Sequence, residues 1–375
     1  MKFNKTATFD LYLHGGHAPH WLVKRMKLLG KVIITFIVEE FGQRELLRRI
    51  ADPLWFQAFS YVLGYDWDSS GVTTVTTGVL REILTPETGI LAAGGKGKRS
   101  LNTPQEIKQI GKIFDFDEEY TNYLIQTSRK IAKIDNAVIQ DEHNIYHHTI
   151  FISEDKHWSV IQQGMNPKRK TARRYHWISE GIKSFVEDPH KGILGSIKLP
   201  FVLNMASKES CEAQKVSVDL VNDGINVLKR DLSILEARSK GMKTLETFLT
   251  GANYVIESNL NIRIKIRKIN WKALEEAYKI SPGSYEELIG IKGIGPGTIR
   301  ALALVAELIY NAKVCWKDPI RYTFAVGGKD GVPYPVNVRR MEEVADILRL
   351  ALESIKLDKK EKVRALKKLS YLLPT

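Results

Sequence analysis

The sequence predicts an α+β fold, and three observations carry that expectation. Apolar residues recur at helical spacing over 21–62 and again over 206–248; the period shortens to that of strands over 148–163; and "GIKGIGPGTIRAL", residues 290–302, sets four glycines and a proline between two helical patterns. The expected layout is an N-terminal mixed α/β domain with a β-hairpin (1–200), a helical connector (201–250) and an all-α C-terminal domain (251–375). At 375 residues and 43% hydrophobic composition the chain is long and apolar enough for about two packed domains.

Taken in order, "WLVKRMKLLGKVIITFIVEEFG" and "ELLRRIADPLWFQAFSYVLG" alternate apolar and charged positions as core helices do, with Asp52 as a cap and Pro53 opening a new helix. "DWDSSGVTTVTTG" reads as a turn-prone stretch, followed by a short helix over 79–84. "AAGGKGKRS" reads as a flexible glycine loop that leads into a helix capped by Thr103, with Pro104 first and Glu106 completing a capping box. Two β-rich runs separated by Glu154-Asp155-Lys156 give the hairpin. The long polar helical stretch after Ala206 is broken near Asp223-Gly224 and at Gly241.

The net charge of +13 favours a polyanionic partner. Residues 251–375 hold 22 basic and 14 acidic side chains, so most of the excess lies there. Cys211 and Cys315 have neither metal-ligand spacing nor the density of a disulfide framework and are expected to be reduced. "KVIITFIVEEFG" is too short to span a bilayer, and residues 1–10 lack the layout of a signal peptide. The expectation is a cytoplasmic protein that binds nucleic acid and no membrane.

In "SYEELIGIKGIGPGTIRALALVAELIY" a short helix over 285–289, a tight turn and a longer helix from Gly297 leave the amides of Gly295, Gly297 and Thr298 at a helix N-terminus, where the backbone favours an anion. Ile291, Gly293, Ile294 and Gly295 match the hydrophobic-Gly-hydrophobic-Gly pattern of the helix-hairpin-helix motif, which the segment resembles. That resemblance implies a grip on the sugar-phosphate backbone of DNA, with RNA still possible, and a monovalent cation on the hairpin carbonyls. Lys292 and Arg300 flank the turn. Three further basic groups are candidate phosphate contacts: Arg263, Lys265 and Arg267 in "NIRIKIRKI", Lys96, Lys98 and Arg99 in the glycine loop, and Lys168, Arg169, Lys170 and Arg173 in "PKRKTARR". The alternative is that the turn is only a compact corner and the isoleucines are core.

The densest set of residues suited to chemistry lies between 135 and 176. Phosphodiester hydrolysis needs a metal or base to prepare water, cations to offset charge and an acid for the leaving oxygen. Asp141, His147, His148, Gln162, Gln163, Arg174 and His176 supply those types, with Asp135 and Asp141 as candidate ligands for Mg²⁺ or Mn²⁺. The second strand reads "VIQQG" where metal nucleases place an acid-x-Lys pair, and the histidines also suit a core role. His14, His17 and His20 lie in a loop without an acidic partner, and neither "AAGGKGKRS" nor "VGGKDGVP" ends as a nucleotide-binding loop does. Base excision would want Asp where Asn337 stands.

Taken together, "LHGG", "DPLWFQA", "AAGGKG", "YHHTIF", "VIQQGMN", "ARRYHW" and "FAVGGKDGVPYPV" resemble the domain of unknown function 763 family of archaea and some bacteria, over nearly the whole chain. The resemblance implies an intracellular prokaryotic protein, and the hairpin a helix-hairpin-helix domain at the C-terminus of a DNA-repair protein. The leading expectation is a metal-assisted nuclease, a hydrolase of single-stranded or irregular DNA. The alternatives are a non-catalytic nucleic-acid-binding module and, third, a base-excision glycosylase.

Overall fold

The computed structural model describes residues 18–65, 70–239 and 269–320, together with 346, 348–351 and 353. The helical spacing over 21–62 becomes three helices: α1 (His20–Phe41), α2 (Gln43–Ile50) and α3 (Pro53–Val62). Asp52 caps α3 as the sequence predicts. Its carboxylate accepts from the amides of Leu54 and Trp55, and Pro53 takes the first position, where no amide is needed.

Three expectations for the next stretch are corrected. The Ser/Thr/Gly-rich run is not a turn before a short helix; from Gly71 it is already helix, α4 (Gly71–Ile83). Threonine disfavours helices because its hydroxyl competes for backbone groups, but here the hydroxyls have internal partners: Thr77 donates to the Thr73 carbonyl (2.7 Å) and Thr76 to Ser60 (2.8 Å). The glycine loop is an edge strand, β1 (Ile90–Lys96), followed by a 3₁₀ turn over Gly97–Asn102. Thr103 lies inside α5 (Thr103–Ile113) and gives no side-chain cap; Glu106 instead accepts from the Gly94 amide (2.6 Å) and pairs with Arg81 (2.6 Å).

Gly94 is required on two grounds. Its φ is +97°, and a Cβ there would lie 2.2 Å from the His148 carbonyl oxygen on the neighbouring strand. Gly94→Ala is therefore expected to lose about 2 kcal/mol through backbone strain and displacement of the edge strand, measured by urea unfolding.

Helix α6 (Glu118–Lys133) is capped by Asp117 and runs into a π-helical turn over Ile134–Val138, which leads to β2 (Ile139–Gln140). The predicted hairpin is present as β3 (Asn144–Ser153) and β4 (Trp158–Asn166), but it is part of a larger sheet that also contains β5 (Thr171–Ile178) and β6 (Gly192–Gly195). The order is β1-β3-β4-β5-β6, antiparallel throughout, with β2 pairing separately with β7 (Leu203–Asn204).

Both faces of the sheet are covered. Helices α1–α4 pack on the face that presents Phe151 and Ile161, joined by Leu348 and Ala351 from the far end of the chain. The face presenting Ile150, Ile152, Val160 and Trp177 meets α5, α6 and a core continuous with the C-terminal helices. All eight residues of β5 are consequently buried, so its polar side chains must find partners inside the protein.

The helical stretch after 206 forms α7 (Cys211–Asn222) and α8 (Ile225–Ser239), with the predicted break at Asp223-Gly224. After α9 (Trp271–Ile280), α10 (Tyr285–Gly290) and α11 (Pro296–Leu308) enclose the glycine turn within a residue of the expected bounds. Gly297 to Ala306 are buried apart from Arg300, so α11 is a core helix with only its N-terminal turn near the surface. Arg263, Lys265, Arg267, His14, His17, Asn337 and the loop 326–333 lie outside the described residues.

Candidate nucleic-acid interface

The residues nominated for hydrolysis are held in separate buried hydrogen-bond networks. The first is a relay on the α6 side of the sheet. Asp135, fully buried in the π-helical turn, accepts from Gln162 Nε2 (2.5 Å), Trp177 Nε1 (2.9 Å) and His190 Nε2 (2.5 Å). Because the Gln162 amide nitrogen faces Asp135, its oxygen faces His148 Nδ1 (2.8 Å), so Nδ1 carries the ring proton and Nε2 accepts from Ser128 (2.7 Å). Burial lowers the His148 pKa and keeps the ring neutral.

The second is an ion triad. Arg173 donates to Asp141 (2.9 Å) and to Asp318 (2.5 Å), 145 residues further on, while Tyr175 Oη (2.5 Å) and the His143 amide (3.0 Å) also donate to Asp141. Burial alone would raise the Asp141 pKa, but the Arg173 charge, with bonds from His143 and Tyr175, outweighs it and holds Asp141 at about 2.

The remaining nominees are engaged on the α4 side. Gln163 donates to the Ser70 carbonyl (2.9 Å) and Tyr146 Oη (2.5 Å) and accepts from Thr73. Arg174 donates to His176 Nε2 (2.9 Å) and Gln57 (2.9 Å) and lies over the Phe56 ring; burial lowers it to about 9, still charged at neutral pH. Burial also pushes His176 well below the usual histidine range. Asp141, Gln162, Gln163, Arg174 and His176 are each at most 1% exposed, out of reach of a phosphodiester and its attacking water in this conformation. The two carboxylates nominated for a metal already accept three donors each from protein groups, and the described residues contain no cluster of three His, Cys, Asp or Glu suited to an ion. This donor set does not fit Mg²⁺ or Mn²⁺.

His147 differs. Its neighbour His148 points to the α6 side and His147 to the α4 side, where Nε2 meets Thr77 (2.9 Å) and Thr149 (3.1 Å) while Nδ1 has no partner. It borders a cavity of about 350 Å³ between α4 and β1. Burial, then the nearby His148 and Lys96, push His147 down to about 3. A larger cavity of about 850 Å³ lies between β6, β7 and residues 313–320, with His190, Lys198 and Asp318 in its wall.

The register gathers the exposed basic residues. Lys96 pairs with His147 at the start of β3, Asn144 pairs with Met165 near the end of β4, and Arg173 pairs with Gly195 at the end of β6. The segments 97–99, 167–170 and 196–198 therefore leave the same end of the sheet. Lys96, Lys98, Arg99, Lys168, Arg169, Lys170 and Lys198 are all exposed there; the nearby acid Glu142 lies 3.5 Å from Arg169. Arg173, nominated with them, is instead the buried hub of the triad.

The glycine turn joins this end. Gln140, next to Asp141, donates to the Pro296 carbonyl (2.7 Å), and Arg300 approaches Gln140 (3.5 Å) and lies over Trp316. Lys292 and Gly293 are exposed, Gly295 is half-buried, and Gly297 and Thr298 are buried, Thr298 Oγ1 accepting from the Asn270 amide (3.2 Å). The amides of Gly295, Gly297 and Thr298 have no acceptor among the described residues. Gly293, at φ +93°, gives its carbonyl to Asn270 Nδ2 (3.2 Å), so one of the hairpin oxygens available to a monovalent cation is already engaged.

Sequence reasoning missed His190 and Asp318. Neither carries a local signal; they join Asp135 and Arg173 only through long-range packing. No described helix is long and apolar enough to cross a membrane.

The family described as "Protein of unknown function (DUF763)" matches residues 7–336. The chain belongs to that family. No match was found among curated proteins or among solved structures.

Proposed function

We propose that this member of the DUF763 family is a nucleic-acid-binding protein, gripping the sugar-phosphate backbone of DNA across the basic end of its sheet. In this reading α10, the glycine turn and α11 act as a helix-hairpin-helix. The observation that carries the reading is convergence: two basic segments far apart in sequence, Lys198 and the turn before α11 are brought to one end of the same sheet. A surface of this kind neutralises phosphates and releases counterions, so its affinity must fall with salt. Replacing Lys98, Lys168 and Lys170 together with glutamine is expected to weaken binding of a single-stranded oligonucleotide about tenfold and to flatten the slope of log K against log[salt] by roughly 2. Fluorescence anisotropy over a salt series measures both. An unchanged slope would remove these loops from the interface.

A hydrolytic reading, including a nuclease in DNA repair, moves to a different place from the one the sequence suggested. His190 borders the larger cavity with Asp135 behind it, an acid–imidazole pair of the kind that serves as general base. The same oligonucleotides incubated with Mg²⁺ or Mn²⁺ decide it: cleavage by the parent that is lost in His190→Gln supports hydrolysis, and binding without cleavage leaves the binding module.

A further inference from the structure

We propose that the 850 Å³ cavity between β6, β7 and residues 313–320 is a binding pocket for a guanine base, carried on a single strand or in a free nucleotide. Its wall holds one buried donor that the protein leaves unused. Asn204, 4% exposed on β7, borders the cavity, and its Oδ1 accepts from the Ala206 amide (3.1 Å), which identifies the other amide atom as Nδ2. Nδ2 donates to no described residue, yet it is not among the unpartnered polar atoms sealed from water. It is therefore reached from the cavity, where an acceptor on a ligand recovers the hydrogen bond.

An acceptor lies beside it. The Ala206 carbonyl takes the Asp188 amide (2.8 Å), so one residue ties the Asp188 and Asn204 parts of the wall together. Asp188 is exposed, accepts from the Lys208 amide (3.3 Å) through one carboxylate oxygen, and has no cationic partner among the described residues. The other acids in the wall are engaged: Glu209 by Lys313 and Lys317, Glu307 by Trp316 Nε1, and Asp318 by Arg173.

An amide donor next to a carboxylate matches the pairing edge of a base. Every base can accept from Asn204 and donate once to Asp188. Guanine presents two donors side by side, N1–H and N2–H, next to its O6 acceptor, so it makes three bonds where the others make two. Each carboxylate oxygen has two lone pairs, and the Lys208 bond leaves room for both donors. Ile139, Ile193 and Val314 supply apolar surface for the ring, and Phe201, 41% exposed in the same wall, supplies an aromatic one. A duplex already uses this edge of the base. The pocket therefore takes the base only from an unpaired strand or a free nucleotide.

Lys198 is common to the cavity wall and to the basic end of the sheet, so the two surfaces are continuous. Placing the base on a strand rests on the reading above; the pocket itself does not. The test uses the full chain with guanosine and adenosine monophosphates, and with thymine dodecamers carrying one central guanine, hypoxanthine or adenine. The guanine strand is expected to bind about tenfold more tightly than the adenine strand, with hypoxanthine, which lacks the N2 amino group, between them. Annealing each strand to its complement should abolish the difference. Asp188→Asn keeps an oxygen for the Lys208 amide and suits the left-handed backbone at φ +54°, but turns the free oxygen into a donor. Asn204→Asp keeps the Ala206 bond and turns the free donor into an acceptor. Each should remove the guanine preference while all-thymine strands bind at least as tightly as to the parent; Asp188→Asn, at an exposed site, carries the test alone if Asn204→Asp does not fold. Equal binding of guanine and adenine in strands and mononucleotides alike, a preference for another base, or a guanine preference that survives Asp188→Asn overturns the pocket and leaves the nucleic-acid reading to the all-thymine strands. A preference confined to the mononucleotides keeps the pocket and overturns the placing of its base on a strand; strands that do not bind at all overturn the nucleic-acid reading instead.

Discussion

Asp141→Ala is expected to lose about 3–5 kcal/mol of stability at pH 7, the usual result of stripping one partner from a buried ion pair. Arg173 would keep Asp318, but the guanidinium group facing position 141, the Tyr175 hydroxyl and the His143 amide would all be left pointing at a void. The effect carries a pH signature. Asp141 is held at about 2, below the usual carboxylate value of 3.8, so its ionised form is favoured in the folded state. The stability this contributes, about 2 kcal/mol, is fully present above pH 4 and is lost as pH falls from about 4 toward 2. Urea unfolding of parent and variant at pH 7, 4 and 3 separates this group from the other carboxylates, because only the difference between the two curves belongs to Asp141. That difference should shrink below pH 4. A deficit under 1 kcal/mol at pH 7, or one that stays constant down to pH 3, would show that the triad does not hold this end of the sheet.

Much of the fold was legible because its signals are local. Asp52-Pro53, the polar break in the hairpin and the glycines between α10 and α11 each act within a few residues, and each appears where the sequence placed it. The errors share one cause, tertiary partners that override local preference. The threonines of α4 read as turn formers until Ser60 and Gln163 occupy the hydroxyls of Thr76 and Thr73. Gly94 and Gly95 read as a flexible loop, although Gly94 is there because a neighbouring carbonyl leaves no room for a side chain.

The same reasoning explains the 135–176 set. Its residue types are those of a hydrolytic site, and they are equally those a sheet covered on both faces uses to satisfy its interior. Gln162, Gln163, Arg173, Arg174 and His176 alternate along β4 and β5, so Gln162 and Arg173 face the α6 side, the other three face α4, and each side acquires its own bonds. Sequence spacing showed that these side chains would be close. It gave no means of telling whether water reaches them, because burial depends on α1–α4 and the C-terminal helices packing from both sides.

The sharpest discrimination between those two roles is at Asp135. A metal ligand there would tolerate Asp135→Ala as a folded protein that has lost its ion. The observed geometry demands another outcome, since the carboxylate receives three N–H groups, from Gln162, Trp177 and His190. Each donor stranded in a dry interior costs about 1–3 kcal/mol, so Asp135→Ala is expected to lose about 4 kcal/mol or more. Asp135→Asn should recover only part of this, because its amide nitrogen would face donors rather than acceptors. The loss should also reach across the sheet: Gln162 is oriented by Asp135 and in turn fixes the His148 tautomer, so the His148 ¹⁵N resonances should change in Asp135→Asn even where the fold survives. Equilibrium unfolding, followed by tryptophan fluorescence, measures the first effect and heteronuclear NMR the second. An Asp135→Ala protein as stable as the parent, with His148 unchanged, would return this carboxylate to the list of candidates for chemistry.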